Sequence, residues 1–120
     1  MVRQFRPGTE EVTLELPAGV IDMEESPLDA AQRELMEETG MQSTNWVSLG
    51  KCSSNPALMN NHTHLFLATE TIQTAEPIPE KSGPLEVFLV QEEEFLEIIR
   101  SEKMDHAIAL ATVTRWLLYR

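Results

Sequence analysis

Between Gly19 and Met41 the chain reads GVIDMEESPLDAAQRELMEETGM, with seven acidic residues and a single basic one, Arg33. Glu34, Glu37 and Glu38 fall within five consecutive positions. Carboxylates this close repel, and the fold loses stability unless something cationic sits among them. The stretch also carries its own punctuation. Ser26 suits a helix N-cap, Pro27 the first helical position and Asp29 the first turn, and Gly40 suits the C-terminal stop. A helix from Pro27 to Thr39 is therefore predicted. Residues three and four apart are neighbours on a helix, so Glu34, Glu37 and Glu38 project from one side. Leu28, Ala31 and Leu35 form an apolar stripe bordering that arc. The stripe is expected to face the core, with the acids at a cleft beside it. Clustered oxygen donors suit hard divalent cations, magnesium or manganese. Magnesium completes its shell with water and substrate phosphate, which points to phosphate chemistry. Glutamate-rich helix faces are also common as plain solvated surface, and spacing alone favours that reading.

The rest of the chain supplies a frame for this helix. VRQFR (Val2 to Arg6) and EVTLEL (Glu11 to Leu16) alternate and read as strands, with a turn at RPGT. WVSLGKC and HTHLFLAT read as two more strands. Thr71 to Pro84, with three prolines and a glycine, reads as a loop. LEVFLV (Leu85 to Val90) reads as a buried strand, and EEEFLEIIRSEK and DHAIALATVTRWLLYR as amphipathic helices. Strands interleaved with helices place the chain in the α/β or α+β class. With 120 residues, 42% of them hydrophobic, one domain spanning 1–120 is expected. No run is long and apolar enough to cross a bilayer, and the N-terminus lacks signal-peptide character. The lone Cys52 excludes a disulfide within one chain and suits a reducing cytoplasm; it reads as a small buried apolar group. Trp46 and Trp116 read as core or interface. A net charge of −11 argues against nucleic acid and anionic membranes as partners.

The order of residues in the acidic stretch says more than their spacing. Gly19, five residues, Glu25, seven residues, Arg33-Glu34, Leu35, one residue, Glu37-Glu38, one residue, Gly40 matches the Nudix box at every fixed position. Seven fixed residues coincide by chance at roughly one start in ~10⁸. The chain thus resembles the Nudix hydrolases, and the resemblance implies an α/β/α sandwich with a mixed β-sheet. It also implies hydrolysis of a nucleoside diphosphate linked to another group, with magnesium, or manganese in its place. Carried over by position, Glu34 and Glu38 match the main metal ligands and Glu37 a third carboxylate, ligand or water-orienting. Ala18 matches a backbone carbonyl ligand. Glu25 and Arg33 match a pair bracing the loop against the helix, between Gly19 and Gly40.

LELPAG before the box and Pro56, sixteen residues beyond Gly40, resemble the ADP-ribose pyrophosphatase branch. VRQFR resembles an upstream strand of nucleotide-sugar hydrolases whose arginines meet phosphates, here Arg3 and Arg6. These features favour a nucleotide-sugar such as ADP-ribose over a nucleoside triphosphate. A catalytically silent nucleotide-binding domain is a third reading, against which all box glutamates are present. The branch places its general base before a late strand, where this chain offers Glu76, Glu80 and Glu86; Glu80 is the choice. His62 and His64 read as structural more than substrate-binding. Relatives carry further structure ahead of VRQFR, so an open strand edge exposing Val2 and Phe5 is expected. Exposed edges recruit another chain, and a homodimer through this strand or the C-terminal helix follows.

Overall fold

The computed structural model describes residues 1–78 and 85–120. Two strands, β1 (Val2–Arg6) and β2 (Glu11–Glu15), form an antiparallel hairpin with Val2 opposite Glu15 and Arg6 opposite Glu11. The helix α1 (Pro27–Thr39) follows, with the predicted bounds. The Ser26 hydroxyl accepts from the Asp29 amide at 3.1 Å. Gly40 takes the left-handed conformation at φ 70° and returns its N–H to Met36 O. Both caps satisfy backbone groups that a helix end leaves orphaned.

Four further strands alternate with turns: β3 (Met41–Gln42), β4 (Asn45–Cys52), β5 (Thr63–Thr69) and β6 (Ile72–Gln73). β4 and β5 pair along their length, and β3 pairs β6. A bulge between Ser48 and Gly50 interrupts the β4 register, with Gly50 at φ 95°. The extra residue, Leu49, is buried. Leu65 to Ala68 are all at least half-buried, so the middle of β5 is covered on both faces. A last short strand, β7 (Glu86–Val87), pairs with β1. Two helices close the chain, α2 (Glu92–Arg100) and α3 (Ala107–Tyr119). α3 packs on β4 and β5, while α1 touches β3 and β5. The core joins Val2, Ala30, Leu49, Leu65, Met104, Ala109 and Val113. Phe95 of α2 meets Trp116 of α3 edge to face, and Trp46 meets Phe66 likewise, so both tryptophans serve packing. Among the described residues no helix is long and apolar enough to cross a membrane.

Four expectations change. All ladders among the described residues are antiparallel. β1 is the middle strand of the order β2-β1-β7, not an open edge, and Val2 is only 1% exposed. The late strand shrinks from Leu85–Val90 to Glu86–Val87, and Leu89 points to solvent. Finally, α1 does not turn Leu28, Ala31 and Leu35 fully inward. Leu28 is exposed, and the buried residues of the helix are Ala30, Glu38 and Thr39.

Candidate active site

Ala30, Glu34 and Glu38 repeat every four residues, so they form one ridge along α1. Ala30 and Glu38 on it are each 3% exposed, and the Glu34 carboxylate is largely shielded. Glu34 and Glu38 therefore lie on the packed face of the helix, while the Glu37 side chain stays 42% exposed at its border. What covers them is the chain between β2 and α1. The Ala18 amide donates to Glu38 Oε2 at 3.1 Å. Gly19 lies against Glu34 so closely that a Cβ there would overlap the carboxylate. Glycine at this position lets the loop and the Glu34 carboxylate approach this closely.

Arg33 binds the loop to the helix. Its Nε and Nη2 reach the two oxygens of Glu25 at 2.9 and 3.1 Å, and Nη2 also donates to Val20 O at 2.9 Å. Its Nη1 donates to Glu34 Oε1 at 2.8 Å and to Glu37 Oε2 at 3.1 Å. Asp22 stands 3.8 Å away. The fork from Arg33 holds the Glu25 carboxyl below its ordinary range, and Glu25, then Glu34, holds the guanidinium proton more tightly still.

A second segment docks on the C-terminal end of α1. Thr74 and Ala75 donate to Gly40 O at 2.9 and 3.2 Å, and Ile78 donates to Glu37 O at 2.7 Å. A Cβ on Gly40 would overlap Ala75 O. Gly40 is therefore both the helix stop and the seat of this segment. Of the three candidate bases, Glu80 lies outside the described residues. Glu76 is exposed, and Glu86 accepts from Arg3.

The two arginines of VRQFR part company because side chains alternate along a strand. Arg3 lies over the Phe88 ring at 4.8 Å and pairs with Glu86. Arg6 lies on the other face and grips Glu15 at 2.7 and 2.6 Å. Glu15 is only 2% exposed and also accepts from Thr13 at 2.5 Å, with His106 Nε2 at 4.0 Å. Alternation alone would have pointed Glu15 outward between Leu14 and Leu16; no sequence signal marked it. Pro56 lines an open hollow of about 1000 Å³ with Ser53, Leu58, Met59, Asn60, Asn61 and His62. None of the box acids lines that hollow. His64, on β5, is exposed.

No three His, Cys, Asp or Glu groups among the described residues are gathered as closely as metal ligands are. The donor set nonetheless suits a hard divalent cation. Glu34, Glu37 and Glu38 supply oxygens on one helix side, and Gly19 leaves the Glu34 carboxylate the volume a side chain would fill. Arg33 Nη1 lies between two of the three.

Fold and site together define a helix–loop acid cradle on an α/β frame, suited to cations. The NUDIX domain profile matches residues 1–117, and the chain belongs to that family. It is 37% identical over 109 residues to an ADP-sugar pyrophosphatase of Mus musculus, covering 88% of this chain and 45% of the relative. It is likewise 37% identical over 103 residues to an ADP-ribose pyrophosphatase of Saccharomyces cerevisiae, covering 83% of this chain and 41% of the relative. The chain thus spans less than half the length of these two relatives. A crystal structure titled as an ADP compounds hydrolase superposes with a TM-score of 0.87 at 22% identity, over 98% of this chain and 63% of that one. That likeness establishes the shared fold.

Proposed function

We propose that the chain hydrolyses the pyrophosphate linkage of a nucleotide-sugar such as ADP-ribose, with magnesium or manganese held at Glu34, Glu37, Glu38 and the Ala18 carbonyl. The observation that carries this reading is the burial of the acid ridge of α1 under Ala18 and Gly19. A solvated acidic face would leave the ridge open to water. The names of the mouse and yeast relatives favour an ADP-linked sugar as substrate.

A bound divalent cation would screen the pyrophosphate charge and lower the pKa of a water at the site. The chain's own residues contribute placement. Gly19 and Gly40 admit the loop and the 74–78 segment against the helix ends, and Arg33 with Glu25 keeps the loop closed. Glu80 remains the proposed general base, two residues beyond Ile78, which is bonded to Glu37 O. Arg3, Arg6 and Pro56 remain proposed substrate contacts. For the arginines this requires that the Glu86 and Glu15 pairs exchange for phosphate or steer it at a distance.

Incubation of the chain with magnesium and a panel of nucleotide-sugars and nucleoside triphosphates tests the reading. ADP-ribose should give AMP and ribose 5-phosphate. Action on triphosphates alone would replace the substrate class, and turnover of neither would leave a nucleotide-binding domain. Association into a homodimer is proposed on a surface other than a strand edge. Phe5 and Val12 are cross-strand partners, 44% and 62% exposed. Light scattering at micromolar concentration should give twice the chain mass; a single-chain mass would refute it.

A further inference from the structure

The guanidinium of Arg33 is divided between two tasks. Nε and Nη2 form a parallel fork on Glu25, reinforced by Val20 O. Nη1 faces away from that fork and bridges Glu34 and Glu37. A guanidinium is planar and rigid, so the anchored edge dictates where Nη1 lies. The arrangement is partly shielded from solvent, which limits screening by salt. Among the described residues one guanidinium faces Glu25, Glu34, Glu37 and, at 3.8 Å, Asp22.

A divalent cation at these acids meets Arg33 directly. A magnesium ion sits about 2.1 Å from its oxygen ligand. On Glu34 Oε1, which is 2.8 Å from Nη1, it would lie within about 5 Å of the guanidinium. The two cations repel, and both draw on the same oxygens. The clasp on Glu25 is not part of this conflict, because it uses the other edge of the side chain.

We propose that Arg33 is a built-in competitor of the divalent cation: Nη1 bridges Glu34 and Glu37 until the metal displaces it, while the Nε/Nη2 clasp on Glu25 stays. Arg33 then has opposite effects in the two states. It holds the acids together when no metal is bound, and it raises the metal concentration at which the site fills. This inference rests on the box being a divalent-cation site.

Calorimetric titration with magnesium alone tests it on four proteins: wild type, Glu38→Gln, Glu25→Gln, and the double variant Glu25→Gln/Arg33→Gln. The last two both lack the clasp and differ only in the cation. The double variant should bind magnesium about fivefold more tightly than Glu25→Gln. Equal or weaker binding by the double variant overturns the competition. If wild type takes up no magnesium, or binds it no better than Glu38→Gln, the cation site itself fails and the inference with it. Should the double variant not fold, nitrogen-15 spectra of the wild-type arginine side chains decide. Saturating magnesium should release the Arg33 Nη1 protons to fast exchange and leave the Nε proton protected. Arg33 signals unchanged by saturating magnesium overturn the proposal.

Discussion

Arg6 and Arg33 each grip a glutamate with a two-pronged fork, yet the two clusters are built to opposite ends. On the β1–β2 hairpin, Arg6 meets a deeply buried acid, Glu15, which also accepts from Thr13. Under α1, Arg33 reaches Glu25, Glu34 and Glu37, and Glu38 accepts from the Ala18 amide beside them. A buried fork of the first kind ties two strands together, whereas several acids around one arginine make a donor set suited to a cation. The same arginine–glutamate fork thus joins strand to strand in one place and loop to helix in the other.

Substitutions can separate the two roles. The largest effect is expected from Glu38→Gln. The amide oxygen can still accept from the Ala18 N–H, and circular dichroism checks that the fold is kept. Turnover of ADP-ribose with magnesium should fall about 10²–10⁴-fold. Unchanged turnover would remove Glu38 from the chemistry. On the hairpin the pattern should invert. Glu15→Ala strips the acceptor from Arg6 and Thr13 and should cost about 2 kcal/mol. That corresponds to a melting temperature lower by about 8 °C for a chain of this size. Magnesium affinity should not move; a matching loss of affinity would show that the two clusters are coupled.

Gly19→Ala is a finer probe. The new methyl group meets the flexible end of Glu34, which can swing aside, so stability should change little. Magnesium affinity should drop about tenfold, since the carboxylate leaves its place. Calorimetry showing full affinity would mean that Glu34 is not a ligand in that position. The smallest effect concerns pH. The folded-state carboxyls of Glu15 and Glu25 both titrate below the ordinary glutamate value, each held down by its arginine. Their contribution to stability is therefore complete above that value and is lost as pH falls through the folded pKa values. Melting temperature should be flat from neutral pH to about 5 and then decline. Glu15→Gln should melt lower at neutral pH but decline less steeply, with Glu25 keeping the remaining slope. An acid limb as steep as wild type would exclude Glu15 as its source.

The limits of α1 were readable from sequence because caps act locally: Ser26, Pro27 and Gly40 satisfy or end the helix within one turn. The acid cradle was readable because helical spacing alone brings Glu34, Glu37 and Glu38 to one side. The order Gly19, Glu25, Arg33 through Gly40 also marked the residues that close it. Which side of α1 faces inward was not readable. Apolar periodicity pointed to Leu28, Ala31 and Leu35, whereas the Ala18–Gly19 loop crosses over Glu34 and Glu38. The path of that loop depends on contacts between distant segments, and periodicity carries no record of them. For the same reason the strand pattern could not commit Arg3 to Glu86 or Arg6 to a buried Glu15, nor place Val2 in the middle of three strands. Sequence by itself determined which acids share one helix and where that helix begins and ends. Only the tertiary structure decided what covers those acids and which arginines are already engaged, because burial and charge pairing are set by neighbours in space.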